Sequence, residues 1–593
     1  MRLMRSAAIL GLLALVAALV PAFSASASGG DVLVTNGSPM GPFSQNKQNE
    51  TPVVIDPAHP SVVVSGANEE IDMEACNAGP PNDCPFTPGV GVSGVYFSFN
   101  RGGSWFQPTY TGWTARFCLG DPDSSVTTDT CQPEVGPIGT IPKYFENGLV
   151  ADGDPAVTFG PQPDSNGHFS WANGSRLYYA NLTSNFSSQR SEQGFKGFEA
   201  IAVSRLDGDP AITPSIASNG DNWMDPVIAS KQNAALFSDK EQVWADQAQQ
   251  TSSFFGNVYV CYGAFRGPPG HAQSLIVIRS TDGGDTWTQQ QVTPASNNGQ
   301  HFGRSGCTIR TDSEGTVYVF YEEFGQFATE GQVGSINMVK SFDGGVTWTD
   351  PQVVTSIVEP GVFDPVLGRP TMDGIAGFRV DLAGSPSADI ANGAPTGNDA
   401  TDDIVLSWAD ARDGLNNEHA MFIDSTDHGN SWSNPVAVET GPSDRPAYVA
   451  SSISPNGTDV YLDYDAVLTP YSDNTTDVRQ VQGVVLHADF SSGTGATNWT
   501  ELHRAMVGDP RGSSQNGLTA EFFGDYLYTA AARHYGVAVW MDVRDAGVCD
   551  AINEYRGSLY TDSPESKPPV QDVCPLTFGN SDIYSGSFAD PTP

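Results

Sequence analysis

The sequence predicts an all-β fold, a β-propeller of four-stranded antiparallel blades, and three observations support this. Beyond the first 27 residues there is almost no 3.6-residue apolar periodicity. Short runs of Val, Ile, Tyr, Phe and Trp instead alternate with Gly, Pro, Asn and Asp, as in strands joined by turns. The turn sequence RSTDGGDTW (279–287) also recurs as KSFDGGVTW (340–348) and DSTDHGNSW (424–432), with a decayed copy, FSFNRGGSW, at 97–105. A turn that repeats at sheet-sized intervals is typical of propeller blades.

The number of blades is predicted by counting the second strand of each blade. Each turn lies between two strands, and a further apolar segment lies upstream, so the turn joins the third strand of a blade to the fourth. Seven segments align as second strands, which favours seven blades over the alternative of six. They are SVVVSGANEE, RLYYANL, NVYVCYGAFR, TVYVFYEEF, DIVLSWADAR, DVYLDYDA and GVAVWMDVR.

The ends of the chain are predicted to lie outside the ring, apart from one strand. Two early arginines, an apolar run and Ala25-Ser26-Ala27 have the order of a secretory signal peptide. An open blade edge invites aggregation, so the strand-like segment 31–36 is predicted to close the last blade as its outer strand. The predicted divisions are a signal peptide at 1–27, an N-terminal segment at 28–49, a propeller at 50–563 and a Pro-rich tail at 564–593.

Charge and composition restrict the partners. The chain has 68 acidic and 28 basic residues, a net charge of −40, which repels nucleic-acid phosphates. No later stretch is long and apolar enough to span a bilayer. We therefore expect a secreted, extracellular monomer with no membrane anchor and no nucleic-acid partner.

All eight cysteines lie beyond the signal peptide, which fits an oxidising compartment. Closeness in sequence favours the pairs Cys76–Cys84, Cys118–Cys131 and Cys549–Cys574. Cys261 and Cys307 remain and could join neighbouring repeat units. No Cys/His cluster has metal-ligand spacing, so no metal or cofactor is required. Calcium as a structural ion is the alternative, with the DGDP pairs Asp152/Asp154 and Asp207/Asp209 as its candidate ligands.

The repeated turns resemble the Asp-boxes (BNR repeats) of the sialidase-like superfamily, and the resemblance covers most of the exported chain. It implies a structural role for the box residues, in which Asp accepts backbone N–H bonds and Trp packs between strands. These residues are Asp282, Trp287, Asp343, Trp348, Asp427 and Trp432. Sialidases use a tyrosine nucleophile helped by a glutamate, and Tyr526 with nearby Glu521 is the corresponding candidate in the last blade.

Strand direction separates the boxes from a second group of charged residues. In a four-stranded meander the boxes lie on one face of the ring, and the second strands end on the other. Those ends carry the candidate catalytic carboxylates Glu322, Glu323, Asp410 and Asp542 and the candidate substrate-binding arginines Arg266, Arg412 and Arg544. The WADAR and WMDVR repeats also allow another interpretation, in which Asp and Arg form a structural bond that ties neighbouring blades.

Three functions agree with these features. A carboxylate-rich cleft suits a glycoside hydrolase, which usually needs one carboxylic acid and one carboxylate. Arginine suits a glycan that is itself an acid, because its guanidinium grips a carboxylate through two bonds. A secreted, sialidase-like glycoside hydrolase is the first expectation, with acidic glycans among its candidate substrates. The alternatives are a non-catalytic propeller that binds glycan or protein at the cell surface, and a polysaccharide lyase.

Overall fold

The computed structural model consists of seven antiparallel blades around one axis, which confirms the predicted fold and blade number. It describes residues 29–36, 47–74, 87–118, 132–230, 233, 236–266, 273–294, 303–324 and 333–592. The predicted signal peptide lies outside the described residues. Within the described part, no helix is both long and apolar enough to cross a membrane.

Each blade runs outward from the axis through an inner, a second, a third and an outer strand. The inner strands are Gln48–Asn49 with Val53–Ile55, Ala156–Pro163, Leu236–Ala245, Gly303–Thr311, Ser387–Ile390, Arg445–Ile453 and Tyr528–Ala531. The second strands are Val63–Glu69, Phe169–Asn185, Val258–Arg266, Val317–Phe324, Ile404–Asp410, Asp459–Val467 and Tyr535–Asp542. All seven fall on the predicted segments.

The third and outer strands complete the sheets. The third strands are Ser93–Ser98, Ala200–Asp207, Ser274–Ser280, Val333–Ser341, His419–Ser425, Val481–Ser491 and Asp582–Ala589. The outer strands of blades 2 to 7 are Val227–Ile228, Thr288–Gln291, Gln352–Val358, Val436–Ala437, Gly495–Arg504 and Val32–Leu33. In blade 1, Phe106 bridges the third strand at Phe97.

Short elements decorate this ring. The remaining strands are Tyr110–Thr114, Glu134–Ile138, Leu149–Ala151, Val362–Asp364 and Arg369–Thr371. The helices are Pro214–Ala217, Asp550–Ser558 and Val570–Val573, with 3₁₀ turns at Phe145–Asn147, Gly220–Asn222 and Pro510–Gly512.

Blade 7 combines both ends of the described chain. Its second strand pairs with Asp582–Ala589, and this third strand pairs with the N-terminal strand Val32–Leu33. The propeller therefore ends at Ala589 and not at the predicted boundary at residue 563. The Pro-rich stretch is an insertion between the second and third strands. Its two helices share a small apolar core, which includes Cys549 and Ile552.

Two disulfides are present among the described residues. Cys261–Cys307 joins the second strand of blade 3 to the inner strand of blade 4, and Cys549–Cys574 closes the blade 7 insertion. Both pairs agree with the predictions. Of the other four cysteines, Cys76, Cys84 and Cys131 lie outside the described residues, and Cys118 is disulfide-bonded.

The repeated turns share one geometry. In each, one aspartate oxygen accepts two backbone N–H bonds, as Asp343 Oδ1 does from Val346 at 3.0 Å and Thr347 at 2.8 Å. Asp282 and Asp427 accept equivalent bonds. The tryptophans pack where the blade meets the preceding one, since Trp348 contacts a cluster from blades 3 and 4 that includes Tyr259. Trp287 occupies the equivalent position between blades 2 and 3, and Trp432 does so between blades 4 and 5.

A cation from the preceding blade also binds each turn. Arg279 Nη1 donates to Gly344 O at 2.8 Å, Lys340 Nζ donates to His428 O, and Arg176 Nη1 donates to Gly283 O at 2.8 Å. All these turns join a third strand to an outer strand and so lie on one face of the ring, called here the box face. The inner strands begin at the opposite face, called here the entry face.

Candidate active site on the ring axis

The inner strands do not enter the ring smoothly. Five of them carry one residue in the left-handed region at or just before the strand's first half, with φ between 50° and 59°: Glu50, Asp154, Lys240, Gly306 and Tyr448. In blades 3, 4 and 6 the strand pairing shifts register at this point. Such bulges redirect a side chain, and left-handed non-glycine residues are frequent at functional sites. Here they aim side chains at the axis.

Lys240 lies at the centre of the resulting ion network. Its ammonium group is 2.7 Å from Asp154 Oδ2 and 2.8 Å from Asp525 Oδ2. Glu50 Oε1 and Asp239 Oδ1 each lie 3.9 Å away. The four carboxylates come from blades 1, 2, 3 and 7, so one lysine joins more than half of the ring.

Arg379 supplies the second cation. Its Nε donates to Asp525 Oδ1 at 2.7 Å and its Nη2 to Asp525 Oδ2 at 2.5 Å. Glu50 Oε1 lies 3.5 Å from the same Nη2. The guanidinium stacks on the Phe522 ring at 4.8 Å, and Lys240 lies 6.0 Å from the centre of the Tyr526 ring. The cations thus have aromatic faces beside them.

Polar contacts hold this group in place. The Asn68 amide donates to Glu50 Oε2 at 3.0 Å and accepts from the Asp154 backbone N–H at 2.8 Å, so it links the left-handed residues of blades 1 and 2. The Tyr448 hydroxyl donates to the Arg379 carbonyl. At Gly524, with φ 92°, a Cβ would meet Glu50 N at 2.9 Å, so only glycine lets this segment approach blade 1.

Access from the entry face divides the group in two. The side chains of Asp154, Asp239, Lys240 and Arg379 are 11, 18, 13 and 26% exposed. Those of Glu50 and Asp525 are only 1 and 2% exposed. The buried pair therefore anchors the cations, while the other four groups and Tyr526 remain partly exposed. The cavity beside Lys240, Asp525 and Tyr526 has a volume of about 40 Å³.

Burial and neighbouring charges push the carboxyl pKa values apart. Burial, reinforced by the charge of Asp154, raises the pKa of Asp239 to about 7, although Lys240 opposes this shift. Burial opposes ionisation of Asp154, but the charge of Lys240 and the hydrogen bonds from Glu50 and Lys240 together outweigh it, so the pKa of Asp154 is lowered. Burial also raises the pKa values of Glu50 and Glu241 well above the ordinary range. Near pH 7 the accessible face thus has a carboxyl group that is part-protonated, Asp239, beside an ionised one, Asp154, and acid–base catalysis uses such a pair.

The paired WADAR and WMDVR motifs are satisfied internally. Asp410 accepts bonds from Trp408 Nε1 at 2.8 Å and from Arg412 Nε at 3.0 Å and Nη2 at 2.7 Å. The same clasp recurs in blade 7, where Asp542 accepts bonds from Trp540, from Arg544 Nε at 2.9 Å and from Arg544 Nη2 at 2.6 Å. Arg544 also pairs with Asp31 at 2.7 Å. This geometry follows the structural interpretation, except that each clasp closes within one strand end.

The other predicted residues divide by position. Glu323 pairs with Arg304 at 3.1 Å. Glu322 is buried and accepts a bond from Ser385 Oγ at 2.8 Å, and burial raises its pKa. Glu50, Asp154, Asp239, Lys240, Arg379 and Asp525 are called here the axial group. Tyr526 lies beside this group, whereas nearby Glu521 pairs with Arg479. The side chain of Arg266 lies outside the described residues. Of the predicted catalytic residues, the structure therefore brings Tyr526 to the axis.

Signals in the sequence for the axial carboxylates are weak. Asp154 belongs to a DGDP segment, which suggested calcium, but its partner is Lys240; Asp207 of the second such segment pairs with Arg176 at 2.6 Å. Asp239 and Lys240 lie in SDKEQV, which resembles an exposed loop. Within the described chain, one set of metal-capable side chains has donor atoms within 4.8 Å of one another, namely Asp459, His487 and Asp590 in blade 6 and its neighbour. It lies away from the axial group.

Comparison with known proteins gives only distant structural likeness. No family model matches the chain, and no curated protein matches it. A crystal structure of a protein of unknown function from Dyadobacter fermentans has 11% identity and a TM-score of 0.34, over 75% of this chain and 100% of that one.

Two enzymes are similarly distant. Trypanosoma rangeli sialidase, in complex with the inhibitor DANA, has 12% identity and a TM-score of 0.33, over 74% of this chain and 55% of that one. The α-L-arabinofuranosidase arb93a of Fusarium graminearum has 12% identity and a TM-score of 0.28, over 59% and 93%. Likeness of this size does not identify a family or an activity.

Proposed function

We propose that this protein is a secreted glycoside hydrolase whose active site is the axial group on the entry face. The observation that carries the proposal is the pair of accessible carboxyl groups, Asp239 and Asp154, whose pKa values diverge around Lys240. Glycosidic cleavage needs a group that holds a proton at working pH and gives it to the leaving oxygen. Asp239 gives its proton to the leaving oxygen as the glycosidic bond breaks, and a water molecule then bonds to the anomeric carbon and returns a proton to Asp239. Ionised Asp154 helps to keep that proton on Asp239 by raising its pKa.

The substrate class follows from the charge of the cations. Lys240 and Arg379 are each held by ionised carboxylates, Asp154 and Asp525, whose pKa values are lowered. An acidic sugar needs cations that are not already neutralised. Arg412 and Arg544 are likewise held by Asp410 and Asp542. We therefore propose a neutral glycan, whose rings would pack on Phe522 and Tyr526, and not one of the acidic glycans that the sequence left open.

A glycan screen tests this function. The purified protein is incubated separately with neutral glycans, sialosides and uronic-acid polysaccharides, and both reducing sugar and the absorbance of unsaturated products are measured. We expect reducing sugar from a neutral glycan without new absorbance. Absorbance would indicate elimination by a lyase, release of sialic acid would contradict the neutral substrate, and no product from any glycan would favour a binding protein.

Variants tie the activity to the axis. Asp239→Asn should lower turnover at least 100-fold, because a positioned acid contributes about 10²–10⁴-fold. The matched control is Asp350→Asn, which makes the same change at an exposed position next to a box turn. Equal loss in both variants, or full activity in Asp239→Asn, would contradict the assignment.

A further inference from the structure

The axis has a second opening, at the box face. A cavity of about 570 Å³ lies there, and all seven blades contribute to its wall. It is formed where the inner strands end, and it reaches the first-to-second turns at His59, Gln247, Pro455 and His534. None of the axial carboxylates, nor Lys240, lines it. The candidate active site and this cavity thus lie towards opposite faces of the ring.

The wall has the composition of a small-molecule site. Most of it is apolar, from Val53, Ile55, Val243, Ile390 and Ala530. Its volume lies within the range of roughly 300–1,000 Å³ that is usual for pockets that bury a small ligand. Such pockets combine an apolar wall with a few convergent polar groups.

The polar groups are mainly cationic. Arg310 is fixed by Asp389 at 3.1 Å and by Gln242 at 2.8 Å, and its guanidinium stacks on the Trp244 ring at 4.4 Å. Arg101 belongs to the box turn of blade 1 and lies over the Tyr535 ring at 5.5 Å. Among the ion pairs of the described residues, none involves Arg101. Three arginines and two histidines line the cavity. Asp399 holds Arg533 at 2.7 Å and Asp56 holds His59 at 3.1 Å, so Arg101 is the one arginine of the described wall without a carboxylate partner.

This local charge is opposite to that of the chain. In a protein of net charge −40, the unpaired guanidinium of Arg101 at the mouth of an apolar cavity attracts an anion that the rest of the surface repels. Arginine binds a carboxylate through two parallel bonds, and the apolar wall favours a hydrocarbon or aromatic body. We propose that this cavity binds a small organic carboxylate with an apolar body.

Calorimetry with matched probes tests this site. Full-length mature protein is titrated with 2-naphthoate and with 2-naphthalenemethanol, which has a similar body without the charge. We expect one site per chain and at least ten-fold tighter binding of the carboxylate. Equal affinities would overturn the anion selectivity. No saturable binding of 2-naphthoate, 4-phenylbutyrate or octanoate would overturn the site.

Three variants place the binding. Ala530→Leu fills the cavity and should weaken both probes at least ten-fold. Arg101→Gln, in an exposed turn, should weaken the carboxylate several-fold and leave the alcohol unchanged. Arg190→Gln makes the same charge change in an exposed loop between the second and third strands of blade 2 and should have no effect. Unchanged binding in both cavity variants, with melting temperatures like that of the unaltered protein, would overturn the location.

The cavity is independent of the proposed catalytic function. Asp239→Asn alters the axial group and not the cavity wall. This variant should therefore retain naphthoate binding while hydrolysis is lost. Loss of both in this variant would contradict the separation of the two sites. Naphthoate binding in a protein that hydrolyses no glycan would leave the cavity assigned and reject the hydrolase.

Discussion

At the scale of single residues, the pKa values of the axial carboxyl groups are set by the balance between burial and the charges of nearby groups. Lys240 and Arg379 lower the pKa values of Asp154 and Asp525, whereas burial dominates at Asp239 and raises its pKa to about 7. Nearby cations thus stabilise the ionised forms of Asp154 and Asp525, but at Asp239 the charge of Lys240 does not offset the effect of burial. One network therefore supplies both an acid and a base.

This balance predicts the pH dependence of catalysis. A general acid acts only while protonated, so activity should fall as pH rises through about 7, the pKa of Asp239. The pKa of Asp154 is lowered, so activity should persist well into the acidic range. The pH profile of kcat/KM checks this, and Asp239→Asn should remove the alkaline limb from the residual activity. An alkaline limb that survives unchanged would assign the proton to another group.

Two buried carboxyl groups in blade 6 predict a stability effect. Asp463 and Asp465 are fully buried, and none of their oxygens has a well-oriented hydrogen-bond partner among the described residues. Burial raises both pKa values well above the ordinary range. Such a group contributes stability below its unfolded pKa and loses that contribution as pH rises, by about 1.4 kcal/mol per pH unit, until the folded pKa is reached.

Asp463→Asn should therefore stabilise the protein at pH 8 and have little effect at pH 4. The amide resembles the protonated acid but does not ionise when the chain unfolds. Thermal unfolding of both proteins at the two pH values measures the difference. A variant less stable than the parent protein at both pH values would show that the carboxyl groups have a partner, such as a bound cation.

At the scale of elements, ring closure depends on a two-residue strand. Val32 pairs with Ser585 and Leu33 with Tyr584, and Asp31 binds both Arg544 at 2.7 Å and His503 at 3.3 Å. Without this segment the third strand of blade 7 becomes an exposed edge. A protein that begins at Lys47 should melt several degrees below one that begins at Gly29, and should aggregate more readily.

Asp31→Ala is the control for this truncation, because it keeps the strand and removes only its ion pair. Part-exposed pairs contribute about 1 kcal/mol or less, so its melting temperature should fall by a smaller amount. Differential scanning calorimetry compares the three proteins. Equal melting temperatures for the two chain starts would mean that the strand adds nothing to ring stability.

At the scale of the whole molecule, the buried carboxyl groups whose pKa values are raised outnumber the exposed carboxyl groups whose pKa values are strongly lowered. Burial raises the pKa of Asp152 to about 6 and those of Glu69, Asp246 and Asp582 to about 7. Their contribution to stability is complete below about pH 4 and is lost as pH rises through 6 to 7. Repulsion within a chain of net charge −40 acts in the same direction.

The protein should therefore be more stable near pH 5 than at pH 8. The box aspartates Asp343 and Asp427 act in the opposite sense: hydrogen bonds lower their pKa values to about 2, so their contribution is lost only as pH falls through that value. Thermal unfolding from pH 4 to 8.5 at constant ionic strength measures the curve. Added salt separates repulsion from proton binding, and a stability that rises towards pH 8 in high salt would contradict the prediction.

The sequence by itself determined the ring and its sidedness. A turn such as DGG needs left-handed glycines and an aspartate that binds the turn's own N–H groups, so its chemistry is local and its repeats are legible. The seven second strands are legible for the same reason. One boundary failed, because the alternation in DIYSGSFA (582–589) lies beyond a Pro-rich stretch that resembles a tail, and only pairing with Trp540 and its neighbours identifies the strand.

Only the tertiary structure decided which charged residues meet. Glu50, Asp154, Lys240 and Tyr448 occupy equivalent positions with left-handed backbone conformation. They share no residue type, so no sequence pattern marks them. Asp154 and Asp525 are 371 residues apart, and both bind Lys240. The Asp–Arg pairs at 410/412 and 542/544 stood out because they repeat, but repetition is a property of the scaffold. The axial group does not repeat, because the blades contribute different side chains to it: Glu50 comes from blade 1, Asp154 from blade 2, Asp239 and Lys240 from blade 3 and Asp525 from blade 7.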